Sequence, residues 1–334
     1  MNTRVIHTPE GVRDIYGSEC REKRRLMAAI RDVFERYGCE EIETPAIEYF
    51  DVFSSDIGTT ASRELFKFFD RDGNTLVLRP DFTPSVARAV SMHMPEEAMP
   101  VRLSYEGSTF RNNAEYQYQG RLKEATQMGV EFIGDGSAEA DAEVIALTCE
   151  MLLASGLKEF QVSVGEVDFF KALVEGSGLD EESVEELRKL ISNKNFFGVE
   201  EILDEKEMDA DTKAALIRLP QLFGGGEVLK EAAAFSGNER AKAAIARLGR
   251  INELLAERGL EKYVSYDFGL LSKYRYYTGI IFSAFTYGVG EPVAKGGRYD
   301  NLLGNFGRDY PAVGMGLYLD QLMNALSRQG IRQG

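Results

Sequence analysis

The sequence predicts an α+β fold, in which a largely antiparallel sheet is flanked by helices and carries a helical insertion. Strand-like segments are joined by loops and hairpin turns instead of alternating strictly with helices. Residues 166–262 show helical periodicity in a texture rich in Glu, Lys, Ala and Leu. With 334 residues, 44% of them hydrophobic and 28% charged, the chain is long enough for one large core and a smaller unit beside it.

In chain order, a first long helix begins where Ser18 can cap it. Leu26, Met27, Ile30, Val33, Phe34 and Tyr37 recur at helical spacing, and Gly38 supplies a left-handed stop. Ile42-Glu43-Thr44-Pro45 reads as a short strand ending at proline, followed by a turn-rich stretch from Ser54 to Thr60. Arg71-Asp72-Gly73-Asn74 has hairpin-turn chemistry, with Phe66 to Phe69 before it and a strand from Thr75 to Arg79 after it. Thr83 and Pro84 form a cap and first position for a helix through Ser91. Strands follow at Val101–Tyr105 and Glu124–Gly134, on either side of a polar, tyrosine-containing loop from Asn112 to Gly120. A helix from Ser137 to Leu153, closed by Gly156, leads to a strand at Phe160–Val164. Within residues 166–262, Gly224-Gly225-Gly226 breaks the helical pattern in two. Strand patterns return at Tyr263–Leu270, Ile280–Tyr287 and Val293–Lys295, and Ala312–Leu326 reads as a final amphipathic helix. The expected organisation is a core in two parts, 1–165 and 263–334, around an insertion at 166–262.

Lys and Arg number 39 against 54 Asp and Glu, a formal charge of −15. Such a chain does not draw in a polyanion by its overall field, which argues against general nucleic-acid binding. Cys20, Cys39 and Cys149 are widely spaced and read as free thiols in a reducing cytoplasm. His7 and His93 are the only histidines, too few for a His-rich zinc site or a Cys/His cluster. Met1 to Glu10 is polar and contains Pro9, and no stretch approaches a membrane span, so a cytoplasmic protein is expected.

Three segments carry candidate chemistry. In Leu78-Arg79-Pro80-Asp81-Phe82-Thr83-Pro84, Asp81 and Thr83 suit an ammonium group, as a charge and a second acceptor; the plain alternative is a helix cap beside a solvated turn. Phe110-Arg111 is followed by Gly120-Arg121-Leu122-Lys123 and then by Gln127, Gly129 and Glu131, which share one face of a strand. A glycine between two polar groups leaves room for a ligand, although the same face serves equally well against water. Ser272-Lys273-Tyr274-Arg275-Tyr276-Tyr277-Thr278-Gly279 precedes Lys295-Gly296-Gly297-Arg298-Tyr299-Asp300, where Gly296-Gly297 allows close backbone approach to a ligand or forms a bulge. No Walker-type or dinucleotide fingerprint and no Ser/His/Asp set is present.

As a set, these residues resemble the catalytic core of histidyl-tRNA synthetase, a class II aminoacyl-tRNA synthetase. Pro9 to Asp14 resembles the family's P-x-G-x-x-D element, and Tyr37 to Pro45 its dimer-forming motif 1. Leu78 to Thr83 is similar to L-R-P-E-x-T, with Asp81 one methylene shorter than the family's Glu. Phe110-Arg111 and Gly120-Arg121 through Gly134 resemble motif 2 and the strand after it. Tyr276-Tyr277-Thr278-Gly279 resembles the tail of the histidine-specific R-G-L-D-Y-Y motif, Gly296 to Asp300 the G-G-R-Y-D element, and Pro311-Ala312-Val313-Gly314 the opening of motif 3. The pieces run in the family's order over nearly the whole chain.

The departures matter for function. Ser272 stands where the family's histidine motif opens with an arginine, and Gln321 where motif 3 ends with the arginine that holds the ATP γ-phosphate. Asn113 stands where motif 2, F-R-x-E, has its Glu. A triphosphate transition state needs fixed cations, each worth about a hundredfold or more in rate, so the resemblance implies that adenylation is lost. Lys273 is a possible substitute cation, while Arg275 occupies the motif's Asp position. The family's anticodon-binding domain has no counterpart after motif 3 in this sequence, which ends at Gly334, and tRNA is not an expected partner.

A synthetase-like core with these losses resembles the regulatory subunits of ATP phosphoribosyltransferase. That resemblance implies a non-catalytic partner of a short-form catalytic subunit in the first step of histidine biosynthesis, required for activity and for feedback by histidine. It further implies a homodimer through motif 1 within an assembly of four of each subunit, with no cofactor and no membrane. Carried over by motif, Asp81 and Thr83 take the histidine α-ammonium with Gln127 close by, Glu131 and Tyr277, with Tyr276, read the imidazole, and Arg111 holds the α-carboxylate. The runner-up is a minimal histidine-activating ligase that forms histidyl adenylate; a third reading is a histidine-binding module for some other partner.

Overall fold

The computed structural model describes residues 7–54, 60–112, 123–235, 237–272 and 276–332. Helix α1 (Gly17–Arg36) turns Leu26, Ile30, Val33 and Phe34 into the core. It ends in a Schellman motif: Gly38 has φ +73°, its N–H reaches the Glu35 carbonyl at 2.9 Å, and the Cys39 N–H reaches Phe34 at 3.1 Å. Ser18 is not its cap. The helix starts one residue earlier, and Tyr16 occupies the N-cap position without a side-chain hydrogen bond.

Strand β1 (Glu40–Glu41) and strand β2 (Ile47–Tyr49) flank the segment expected as a single strand ending at Pro45. Ile42 keeps one further sheet bond, to the Ser104 carbonyl at 2.8 Å. Strands β3 (Lys67–Phe69) and β4 (Thr75–Leu78) form the expected hairpin. Asp70 Oδ1 accepts the N–H groups of Asp72 and Asn74, each at 2.9 Å, and Gly73 takes φ +86°. With β2, these strands make a small sheet in the order β2-β4-β3.

Helix α2 (Thr83–His93) is followed by the long strands β5 (Val101–Phe110) and β6 (Glu124–Ile133). Helix α3 (Ala138–Ala154) is capped by Ser137, which accepts the Ala140 N–H at 3.2 Å, and strand β7 (Phe160–Glu166) follows. The chain then runs through α4 (Val167–Val174), α5 (Glu181–Ser192), α6 (Phe196–Asp204) and α7 (Ala210–Arg218). The two-residue strand β8 (Phe223–Gly224) starts the glycine-rich break before α8 (Val228–Ala234) and α9 (Glu239–Glu257). Strands β9 (Val264–Asp267), β10 (Ile280–Thr286), β11 (Ala294–Arg298) and β12 (Ala312–Tyr318) precede the last helix, α10 (Leu319–Arg328).

Among the described residues, nine strands form the main sheet, in the order β1-β5-β6-β12-β11-β10-β7-β9-β8. All neighbours are antiparallel except β1–β5 and β7–β9. Ala312–Tyr318 is thus a central strand and not the start of a helix. Val313, Met315 and Leu317 are buried while Gly314 and Gly316 alternate with them, and glycine in place of polar residues leaves the run without the apolar/polar alternation that marks a half-exposed strand. Arg298 on β11, almost fully buried, holds the sheet to α3. Its Nε donates to Asp141 Oδ1 at 2.8 Å, while Arg247 of α9 takes the other carboxylate oxygen at 2.6 Å.

Glu166, at the end of β7, is buried and caps α4 by accepting the Asp168 N–H at 3.0 Å. Burial pushes its carboxyl up to about 8. The native form therefore holds a proton that the unfolded chain releases above about 4.5, so this group costs stability progressively as pH rises toward 8. In urea titrations at pH 5.5 and 8, Glu166→Gln should lose less stability than the native protein between the two; equal losses would contradict the burial argument.

Candidate ligand-binding site

Strands β5, β6, β12 and β11 lie side by side, and their central residues floor a cavity of about 580 Å³. Of the residues singled out in the sequence, Asp81, Thr83, Arg111, Gln127, Tyr276 and Tyr277 line it. Glu131, on the same face of β6 as Gln127, is 1% exposed and is covered by Thr83 and Tyr299, which line the cavity. Lys273, Arg275, Asn113, Gly120 and Arg121 lie outside the described residues.

Thr83 does not cap its helix. Phe82 is the N-cap, Thr83 and Pro84 are the first two helical residues, and the Thr83 hydroxyl donates to Glu131 Oε1 at 2.6 Å. Asp81 Oδ1 accepts the Phe82 N–H at 2.7 Å and Gln127 Nε2 at 3.2 Å, so this shorter carboxylate still reaches the Gln127 side chain. Gln127 is buried, and among the described residues its Oε1 has no donor. A buried acceptor without a donor carries a desolvation cost that a ligand N–H would remove. Arg111 Nε donates to the Pro80 carbonyl at 3.1 Å, which turns the guanidinium along the cavity wall.

Glu131 is held from both sides, by Thr83 and by the Tyr299 hydroxyl, which donates to Oε2. Burial pushes its carboxyl up to about 8, against these two hydrogen bonds and with added repulsion from Asp81. Tyr299 is itself buried and its phenol stays neutral, raised by burial and then by Glu131. Tyr276 and Tyr277 pack against each other with ring centroids 4.2 Å apart, and burial raises the Tyr277 phenol. The room expected over Gly129 is taken by Tyr105, its cross-strand partner, whose hydroxyl covers the glycine and meets Gln127 Nε2 at 3.4 Å.

Tyr105, Tyr299, Gly314 and Gly316 are the site residues that local sequence missed. Gly314 pairs with Glu131 across β12 and β6, and a methyl group there would overlap Glu131 Oε2 and stand 2.6 Å from the Val130 carbonyl oxygen. Gly316 gives the same clearance to Gln127 Nε2. A Gly-x-Gly in an apolar run is a visible signal, but it acquires meaning only once the strand opposite is known. Tyr299 lies in the Gly296–Asp300 element and was legible as a position, though not as a partner of Glu131.

The other end of the cavity is polar and mixed in charge. Arg13 pairs with Glu19 at 2.5 Å, and Lys123 stands on the same wall. From α10 come Asp320, whose Oδ2 accepts the Thr126 N–H at 2.7 Å, together with Gln321 and Asn324. The Ser272 carbonyl accepts from Arg188 at 3.1 Å. Among the described residues no cluster of three or more His, Cys, Asp or Glu side chains could hold a metal ion, and no helix is long and apolar enough to cross a membrane.

The family model described as histidyl-tRNA synthetase matches residues 11–322. An ATP phosphoribosyltransferase regulatory subunit from Acetivibrio thermocellus is 44% identical over 326 residues, covering 98% of this chain and 78% of the relative. One from Clostridium acetobutylicum is 37% identical over 322 residues, covering 96% and 79%. Among solved structures, an ATP phosphoribosyltransferase regulatory subunit/histidyl-tRNA synthetase from Bacillus halodurans superposes with a TM-score of 0.90 at 35% identity, covering 96% of this chain and 83% of that one. Histidyl-tRNA synthetase from Nostoc, at 21% identity and a TM-score of 0.81 over 98% of this chain and 77% of its own, shares the fold. Near-complete coverage at these identities, with the class II sheet and its cavity in place, shows that the chain belongs to the histidyl-tRNA synthetase-like family of ATP phosphoribosyltransferase regulatory subunits.

Proposed function

We propose that this protein activates a short-form catalytic subunit of ATP phosphoribosyltransferase and confers feedback inhibition by histidine, without itself activating histidine. The observation that carries this reading is the amino-acid end of the cavity. There Asp81, Thr83 and the donorless Gln127 Oε1 face an α-ammonium, and the buried Glu131 carboxyl waits beneath Tyr299 and Thr83. An imidazole between Glu131 and Tyr277, with Tyr276 packed alongside, satisfies both ring nitrogens; to meet Glu131 directly it displaces the Tyr299 hydroxyl. Arg111 offers a fork to the α-carboxylate.

Adenylation is absent in this reading because Gln321 and Asn324 stand on the wall where a triphosphate needs fixed cations. A net charge of −15 supports the absence of a tRNA partner. The assembly is four regulatory and four catalytic subunits, with homodimers formed through the motif 1 region. That pairing is supported by the small sheet, where Ile47 and Tyr49 are 50% and 58% exposed on the face they share with Leu76 and Leu78. Residues 166–262 act as an insertion into the core formed by 1–165 and 263–334, in a cytoplasmic complex.

The test is phosphoribosyl-ATP formation by a purified short-form catalytic subunit, titrated with this protein with and without histidine. Activity should appear on mixing and fall with histidine; no change on mixing refutes the role. Histidine-dependent exchange of pyrophosphate into ATP by this protein alone would refute the loss of adenylation.

A further inference from the structure

Among the described residues, helices α4 to α9 contribute no side chain to the cavity, yet they hold both ends of the segment that carries Tyr276 and Tyr277. At the near end, Arg188 of α5 donates to the Ser272 carbonyl at 3.1 Å and Ser192 to the Leu271 carbonyl at 3.4 Å. At the far end, Lys171 of α4 donates to the main-chain carbonyl of Tyr277 at 3.1 Å, and the Val167 N–H to the Gly279 carbonyl at 3.1 Å. The core adds its own anchor one residue on, where the Thr278 N–H reaches the Arg298 carbonyl at 2.9 Å. The Tyr277 peptide is therefore pinned between the sheet on one side and an ammonium from the helical region on the other.

Lys171 is half-buried, with Asp168 and Glu166 close by, and Asp168 is in turn gripped by Arg240 of α9. The Tyr277 ring is closely packed: a Cβ at Gly297 would stand 2.6 Å from it, and the Tyr276 ring centroid is 4.2 Å away. A shift of the Tyr277 main chain thus carries the closely packed phenol with it in the cavity.

We propose that Lys171 is a positioning residue for the ligand, through which the helical region sets the placement of Tyr277. This rests on the histidine reading above and deepens it, since it names the region to which ligand binding is coupled. Coupling of this kind is reciprocal in free energy, so histidine biases α4 as α4 biases the tyrosine.

The experiment is calorimetric titration of L-histidine into the full chain, for the native protein, Lys171→Met, Lys171→Arg, Tyr277→Phe and the Lys171→Met/Tyr277→Phe double variant. Lys171→Met should weaken binding about tenfold, and Lys171→Arg should recover most of the loss. In the Tyr277→Phe background the same methionine should change affinity by less than about twofold, because both changes act through one phenol. A purely structural role would produce equal losses in both backgrounds, and that result, or unchanged affinity in Lys171→Met, overturns the proposal. Hydrogen exchange on the native protein guards against a variant that fails to fold: histidine should slow the amides of residues 167–174, and unchanged exchange there also overturns it. No binding by the native protein would instead refute the histidine reading, and this proposal with it.

Discussion

Replacing Glu131 by alanine should weaken histidine binding by roughly a hundredfold and remove histidine inhibition of the assembled enzyme, while activation on mixing persists. The argument rests on where the carboxyl sits. It is 1% exposed and is the acceptor for both the Thr83 and Tyr299 hydroxyls. A hydrogen bond from the ligand to a charged or strongly polarised group contributes about 1.5–3 kcal/mol. Alanine removes that bond, and a loss near 3 kcal/mol is roughly a hundredfold in affinity, while the two hydroxyls left without their acceptor lower the stability of the free and bound forms alike. The measurements are calorimetric titration with L-histidine and inhibition of phosphoribosyl-ATP formation. Inhibition that survives in this variant would remove Glu131 from the ligand site, leaving only the packing between Thr83 and Tyr299 to explain it.

The second large effect is expected at Gly314, where alanine should lower stability by about 3 kcal/mol and abolish histidine binding together. The added methyl meets the Glu131 carboxylate and the Val130 main chain, and β12 is held on both sides, by β6 and by β11. A central strand cannot move aside without breaking two ladders, so the overlap is relieved at the expense of Glu131 or of the sheet. Gly249 in α9 makes the natural control, since a Cβ there meets nothing within 4 Å and alanine should stabilise its helix by up to about 1 kcal/mol. Thermal denaturation of both variants, beside calorimetry on Gly314→Ala, separates the outcomes. Full histidine affinity in Gly314→Ala would mean that the carboxylate lies elsewhere in solution.

Elements whose signals are local were legible without the fold. The stop of α1 at Gly38, the Asp70–Asn74 turn and the Ser137 cap each depend on residues within about one turn of one another. Errors arose where a residue's partner is distant in sequence. Thr83 carries every mark of a helix cap, yet its hydroxyl donates to the buried carboxyl of Glu131, 48 positions away, a partner that no local pattern announces. Ala312–Tyr318 reads as helix because Gly314 and Gly316 stand where a half-exposed strand would carry polar residues, which removes the alternation.

The same division runs through the candidate site. Asp81, Arg111, Gln127, Tyr276 and Tyr277 were identified by their segments, because motif spacing is a property of the chain alone. That Glu131 is covered by Thr83 and Tyr299 follows from tertiary contact, and that Tyr105 fills the space above Gly129 and Gly314 must lack a side chain follow from cross-strand register. So does the grip of Lys171 on Tyr277 follow from tertiary contact, across 106 positions of chain. Motif order was enough to mark the resemblance to synthetase-like folds and to name many of the side chains that line the cavity. The protonation of Glu131 and the partners of its carboxyl were decided by burial, which depends on which strands lie side by side and is written in no single segment.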